Sequence, residues 1–423
     1  MTQQKQKGNI VAIIMMIALF GMISFVTGLS NPMGVIVKDQ FGASNFMSQL
    51  GNFANFIAYA FMGIPAGLLL KKTGYKKTAL LAIVVGFLGV GIQFLSGVAG
   101  SFAVYLTGAF VAGFSMCMLN TVVNPMLNTL GGGGKKGNQL IQVGGTFNSL
   151  MATIVPVLVG YFIGNSLRPT IQDANPALFI AMGIFALAFA VLFFVSIPEP
   201  HLAQQKAAAE KSKYSALSFR HFILGAIGIF IYVGVEVGIP NIANIYMTTG
   251  LGINASIAGT VVGTYWFLML IGRFLGASLG GVFSSKNMLS FAAALGLIFV
   301  LIAIFVPITA TVSMPVFQSD LSFGLAEVPV GIMFLILCGL CTSVMWGGIF
   351  NLAVEGLGKY LAAASGIFMV LVCGGGILPL IQGAIADAVN YMASYWVVVA
   401  GLAYLLFYAL IGSKNVNKNI PVE

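Results

Sequence analysis

The sequence predicts an all-α polytopic membrane protein, with twelve transmembrane helices arranged as two six-helix halves. Three observations carry that class. Of 423 residues, 59% are hydrophobic and 7% are charged, against about 25% charged in a typical soluble domain, and the mean hydropathy is +1.01. Apolar stretches of spanning length, about 20 residues, recur along the whole chain. One long polar segment, EPHLAQQKAAAEKSKYSALS at 199–218, divides them six and six.

In order, the spans are read at 10–30, 46–70, 78–97, 101–130, 139–164 and 174–197, then at 220–247, 256–283, 287–309, 329–353, 360–384 and 391–412. The stretches 254–309 and 329–384 admit other cuts. The resulting domains are an N-terminal bundle over 1–198, a central cytoplasmic loop over 199–219 and a C-terminal bundle over 220–423. The first span is too long for a signal-peptide core and no small-residue cleavage pattern follows it, so it reads as a helix. The halves echo each other: PVLVGYFIG at 156–164 aligns with PLIQGAIAD at 379–387, and NTLGGGGKK at 128–136 with EGLGKY at 355–360. Two related six-helix halves are the architecture of parallel-repeat transporters, with substrate held near the midplane between them.

The net charge of +9 reports orientation. With the N-terminus in the cytoplasm, 17 of the 19 basic residues fall in or beside cytoplasmic segments, and only Lys38 and Arg168 fall outside. That asymmetry is the positive-inside pattern. It places both termini in the cytoplasm and implies a lipid bilayer, with no nucleic acid as partner. The four cysteines lie within apolar spans, and Cys338 and Cys341 read as packing, there being no second pair. His201 and His221 sit in or beside the central loop. No cluster of His, Cys and carboxylates suits a catalytic metal, no nucleophile–base pair is visible, and the glycine run at 131–134 lacks the strand and Lys-Ser/Thr of a phosphate loop. The chain is therefore read as a non-enzyme with no cofactor and no metal, and it is expected to be a monomer.

Polar residues inside the spans carry the functional reading. FVTGLSNPMG at 25–34 puts Ser30, Asn31 and Pro32 within an apolar run. Asn120, Asn124 and Asn128 are four apart, and Asn52, Asn55 and Tyr59 follow at i, i+3, i+7, so each set is expected along one helix face. Asn148 adds an amide from the fifth span. Amides are not left facing lipid; they either join helices or line a wet cavity, where neutral amides and ring faces suit an uncharged polyhydroxylated ligand. Trp266 and Trp346 also lie within spans, Trp346 beside Gly347 and Gly348, and Trp396 fits an interfacial belt. Of ten carboxylates only Glu236 lies well inside a span. Intramembrane carboxylates are costly and mark functional sites. Pro240, four residues on, lacks the N–H that would bond the Glu236 carbonyl, so that oxygen is expected to be open; Asn241 and Asn244 would extend the polar wall outward. Arg273, near the cytoplasmic end of the eighth span, would reach the headgroups or bond helix ends.

Several stretches then carry a family resemblance. GIPAGLLLKKTGYKK at 63–77 resembles the loop between the second and third helices of the major facilitator superfamily, with Leu70 and Lys71 where an acidic residue is usual. NTVVNPMLNTLG (120–131), TFNSLMA (146–152), YVGVEVGIPN (232–241), GRFLG (272–276), GLGKYLAAASG (356–366) and GGGILPLIQGAIAD (374–387) resemble the fucose–galactose–proton symporter family within it. The resemblance implies the major facilitator fold and a bacterial inner-membrane symporter for L-fucose, glucose, galactose or a related sugar. In helix 1 the family has Asn-Asp where this chain has Ser30-Asn31, and in helix 4 a Glu where it has Asn120. An amide still bonds hydroxyls but exchanges no proton. The substrate wall is accordingly expected at Asn31, Asn52, Asn55, Tyr59, Asn120, Asn124, Asn148, Glu236, Asn241, Asn244, Trp266 and Trp346. Ion coupling, by proton or sodium, is expected at Glu236 with Asn31 and Asn120, and conformational roles at Arg273 and Pro240. An uncoupled facilitator is the alternative reading, ahead of a channel or an enzyme.

Overall fold

The computed structural model describes residues 2–130, 134–163, 170–197, 199, 214–279, 283–318, 322–357, 360–417 and 419–421. Most of the central loop lies outside them, as do the side chains of Asn31 and Asn128. Among the described residues twelve helices are long and apolar enough to cross a bilayer. They are α1 (Ile10–Phe41), α2 (Leu50–Leu70), α3 (Tyr75–Ala99), α4 (Phe102–Leu127), α5 (Val143–Ile163), α6 (Ile171–Phe194), α7 (Arg220–Gly250), α8 (Ala255–Gly276), α9 (Ser285–Phe305), α10 (Val330–Val354), α11 (Gly366–Ala388) and α12 (Tyr391–Gly412). An even number of crossings returns both chain ends to one face, the termini face; the turns after α1, α7 and α11 lie on the opposite, far face.

The first span is longer than its hydropathy suggested. It runs to Phe41 in two helical segments, Thr2–Gly28 and Ser30–Phe41, that meet at Leu29. Pro32 cannot donate to the Gly28 carbonyl, so the ladder breaks there. It resumes when Met33 donates to the Leu29 carbonyl at 3.0 Å. The polar stretch at 30–32 is thus a mid-membrane break rather than the end of a helix.

Burial separates inner from peripheral helices. In the most apolar window of α7, 67% of residues are buried within the protein, against 28% for α6 and 33% for α9, so α7 is central and α6 and α9 face lipid. The two halves meet where α5 packs on α8 and α2 on α11, and where the second segment of α1 packs on α7. The α5–α8 contact is close enough to require glycine: a Cβ on Gly263 would lie 2.4 Å from Val157 Cγ2 and 3.0 Å from the Thr153 carbonyl oxygen. Small residues let membrane helices approach in this way.

Between the spans read at 287–309 and 329–353 the described residues form an antiparallel pair of strands. β1 (Thr311–Phe317) pairs with β2 (Phe323–Pro329), Thr311 opposite Pro329 and Phe317 opposite Phe323. Met314, Val316, Ala326 and Val328 are buried while Ser313, Pro315, Leu325 and Glu327 are exposed, the period-2 alternation of a half-covered strand. The hairpin lies on α8, where the Phe317 N–H donates to Thr264 Oγ1 at 2.9 Å and the Phe317 ring stacks on Phe267 at 5.3 Å.

Candidate functional site: a carboxylate hub between the halves

Glu236 sits near the middle of α7 beside α8, whose side chains link it to α5 and α10. Arg273 of α8 places Nη2 3.8 Å from Glu236 Oε1, with only 19% and 14% of the two side chains exposed. The same guanidinium donates through Nη1 to the Gly145 carbonyl of α5, at 2.7 Å, in the opposite half. Arg273 therefore bonds the backbone near the start of the α5 span rather than reaching the headgroups. It faces inward and ties the lone intramembrane carboxylate of the C-terminal half to the backbone of the N-terminal half.

The Glu236 carbonyl is not open. Pro240 does remove its helical partner, but Tyr265 of α8 donates its hydroxyl to that oxygen at 3.0 Å. The same hydroxyl lies 3.1 Å from Thr342 Oγ1 of α10, so three helices of the C-terminal half are pinned at one depth. This corrects the expectation that the proline leaves an oxygen free for a ligand. Tyr265 and Thr342 were not expected from sequence; the freed carbonyl signalled that some donor was needed but could not say which.

Aromatic rings flank the hub. Tyr232, one turn before Glu236, has its ring 6.2 Å from that of Trp346, and Trp266 stands perpendicular to Tyr265 at 5.2 Å. Both indoles are partly exposed. The space beside Trp346 comes from Gly347, where an added Cβ would meet nothing within 4 Å, whereas Gly348 packs against Leu289 at 3.3 Å. On the other side, Asn148 lies three residues beyond Gly145 and donates to the Phe20 carbonyl of α1 at 2.9 Å. Of the expected residues, Glu236 and Arg273 thus pair directly, Trp346 flanks Tyr232 one turn away, and Asn148 and Trp266 follow on the α5 and α8 segments that supply Gly145 and Tyr265.

The remaining amides are distributed differently from the expected stripes. Asn120 donates to the Tyr59 hydroxyl at 3.0 Å and to the Met116 carbonyl at 3.1 Å, and Asn124 donates back to the Asn120 carbonyl at 3.1 Å. These two amides and Tyr59 form a polar seam between α2 and α4, with both amides partly exposed. Asn52 and Asn55 do not share a wall with Tyr59. Asn52 points to α11, donating to the Gly375 carbonyl at 2.7 Å, and Asn55 points to α4, donating to the Ala109 carbonyl at 3.4 Å. Both are 2% exposed and act here as helix glue, because residues three apart diverge enough in direction to meet different neighbours. Asn241 bonds Gln49 Oε1 at 3.3 Å, and Asn244 lines a narrow crevice with Pro32, Val35 and Thr248; both lie toward the far face, away from the hub.

A family model described as "Major Facilitator Superfamily" matches residues 12–379. The chain belongs to the major facilitator superfamily. "Glucose/galactose transporter" of Brucella abortus is 30% identical over 418 residues, covering 97% of this chain and 96% of that protein. "Putative glucose/galactose transporter" of Helicobacter pylori (strain J99) is 28% identical over 427 residues, 97% and 99% of the two chains. "L-fucose-proton symporter" of Escherichia coli (strain K12) is 23% identical over 413 residues, 91% and 90%. These relatives bear out the family resemblance read from the motifs, and they are named as transporters. Among solved structures, a major facilitator transporter, FucP, in the outward conformation aligns with a TM-score of 0.69, at 21% identity, over 96% of this chain and 100% of that one. That likeness shows the fold, a bundle of twelve membrane-spanning helices.

Proposed function

We propose that this superfamily member imports a neutral monosaccharide, a hexose or deoxyhexose such as glucose, galactose or fucose, by alternating access between its two halves. We further propose that a proton moves with the sugar through Glu236. The observation that carries the reading is the hub itself: one intramembrane carboxylate, paired with an arginine that also holds the opposite half. A charged carboxylate at that depth persists only with a partner. Protonation removes the charge that Arg273 pairs with, so the state of Glu236 bears on the Arg273–Gly145 bond between the halves. Sugar hydroxyls suit the partly exposed amides Asn120, Asn124 and Asn148, which both donate and accept. The slightly positive C–H face of a sugar suits the electron-rich faces of Trp266 and Trp346. The names of the relatives support a sugar as cargo.

A sodium-coupled reading needs oxygen ligands around Glu236, and its backbone oxygen is engaged by Tyr265, which favours the proton. The charge asymmetry supports a cytoplasmic membrane with both termini inside. The test is uptake of labelled sugars into proteoliposomes under imposed pH or sodium gradients. Glu236→Gln should abolish gradient-driven accumulation while sugar exchange persists, because exchange needs no net deprotonation. Full accumulation by that variant would overturn the coupling role, and uptake that follows only a sodium gradient would replace the proton.

A further inference from the structure

At the far face the halves are joined by a second polar cluster, separate from the hub. Asp387, at the end of α11, accepts from the backbone N–H groups of Asn45 and Phe46, both at 2.7 Å. Those donors belong to the first turn of the short helix Asn45–Ser48, where N–H groups have no intrahelical partner. Lys38, near the end of α1, donates to the Tyr391 hydroxyl at 2.8 Å and to Thr249 Oγ1 at 3.2 Å. It also donates to Asn45 Oδ1, which accepts from the Tyr391 hydroxyl as well at 2.9 Å. The ammonium lies 5.4 Å from the centre of the Tyr391 ring. Deeper in, Gln49 with Asn241 and Asn52 with the Gly375 carbonyl continue the joint. Except for the Lys38–Asn45 pair, each of these contacts crosses from one half to the other.

We propose that this cluster is a latch holding the far side of the transporter shut, with Asp387 and Lys38 as its two charged jaws. Its chemistry suits repeated opening. Charge-assisted bonds are strong when made, yet Asp387 is exposed and Lys38 partly so, so water takes over their bonds when the halves part. Apolar contacts of the same extent would have no such substitute. A counterweight lies just behind. Gln382, five residues before Asp387 and fully buried, has neither amide atom bonded, and Asn52 Oδ1 is likewise unmet. Unmet buried amides gain from hydration, so they favour the parted state. The closed far face is a balance between the bonds of the latch and these unmet amide atoms, and small changes on either side shift it.

Distances between nitroxides, measured by electron–electron double resonance without sugar or gradient, test the latch independently of the transport reading. One pair, Val98→Cys with Ile308→Cys, spans the far ends of α3 and α9; a second, Phe194→Cys with Ile411→Cys, spans the termini face. All four positions are exposed, and the native cysteines are buried. Asp387→Ala and Lys38→Met should each raise the ratio of far-open to far-closed molecules about tenfold, which corresponds to about 1.4 kcal/mol. The far pair then lengthens and the termini pair shortens. Gln382→Leu, which removes the unmet amide, should shift the ratio the other way. Unchanged distributions in both jaw variants would overturn the latch. So would lengthening at both faces, which would mark these contacts as general cohesion of the bundle.

Discussion

Tyr265 shows how much of a membrane site rests on one hydroxyl. It satisfies a carbonyl that Pro240 strips of its partner, and it does so from a neighbouring helix, on the residue proposed to carry the proton. Tyr265→Phe should lower stability by about 1 kcal/mol, read as a fall of a few degrees in the melting temperature in detergent. It should also loosen the placement of Glu236, so concentrative uptake falls more than sugar exchange. The amides divide by what they touch. Asn124→Ala and Asn148→Ala should weaken sugar binding by about 1–3 kcal/mol, the cost of an unmet polar partner, measured by equilibrium binding on folded protein. Asn55→Ala should leave sugar affinity unchanged and reduce stability instead, because its amide faces the Ala109 carbonyl. Equal losses of affinity in all three would dissolve that distinction.

Helices and turns do their work in this molecule through close approach. The α5–α8 contact depends on Gly259 and Gly263, whose missing side chains admit the Pro156 and Thr153 carbonyls of the other half. Gly263→Leu should force α5 and α8 apart, since even its Cβ would fall 2.4 Å from Val157 Cγ2. The expected result is sugar uptake reduced by at least roughly tenfold, about 1.4 kcal/mol or more of barrier, at normal membrane expression. Retained uptake would show that the two helices need not touch along this stretch. The break in α1 and the proline in α7 are the other element-scale devices: each interrupts a backbone ladder at membrane depth, where the loose groups must be met from inside the protein.

For the whole molecule, the charge pattern makes a topological prediction. Alkaline phosphatase fused after Gly100 or Asn390, on the far face, should be active in intact bacteria, while a fluorescent protein fused after Glu423 should fluoresce inside the cell. The reverse pattern would invert the orientation and with it the direction of transport. Two joints cross the molecule between its halves at different depths, the Arg273–Gly145 bond at the hub and the Asp387–Lys38 cluster at the far face. In the proposed alternating access, rocking of one half against the other has to break or remake named contacts at both.

Composition and hydropathy, read along the chain, were enough for the twelve spans, and the motif stretches for the superfamily. The reason is that lipid acts on each segment separately: apolar length and backbone self-satisfaction decide whether a stretch spans, whatever its neighbours do. Glu236 was also legible, because a carboxylate within a span stands out at any position. Its partners were not. That Tyr265 would take the freed carbonyl, that Arg273 would turn inward to Gly145, that Asn52 and Asn55 would serve as glue, and that Asp387 would seize the turn at Asn45 all depend on the rotation and depth of helices far apart in sequence. Those are set by packing between helices, including glycine contacts as tight as Gly263 on Val157. A hydrogen bond needs two groups within about 3 Å, and only the tertiary arrangement decides which two.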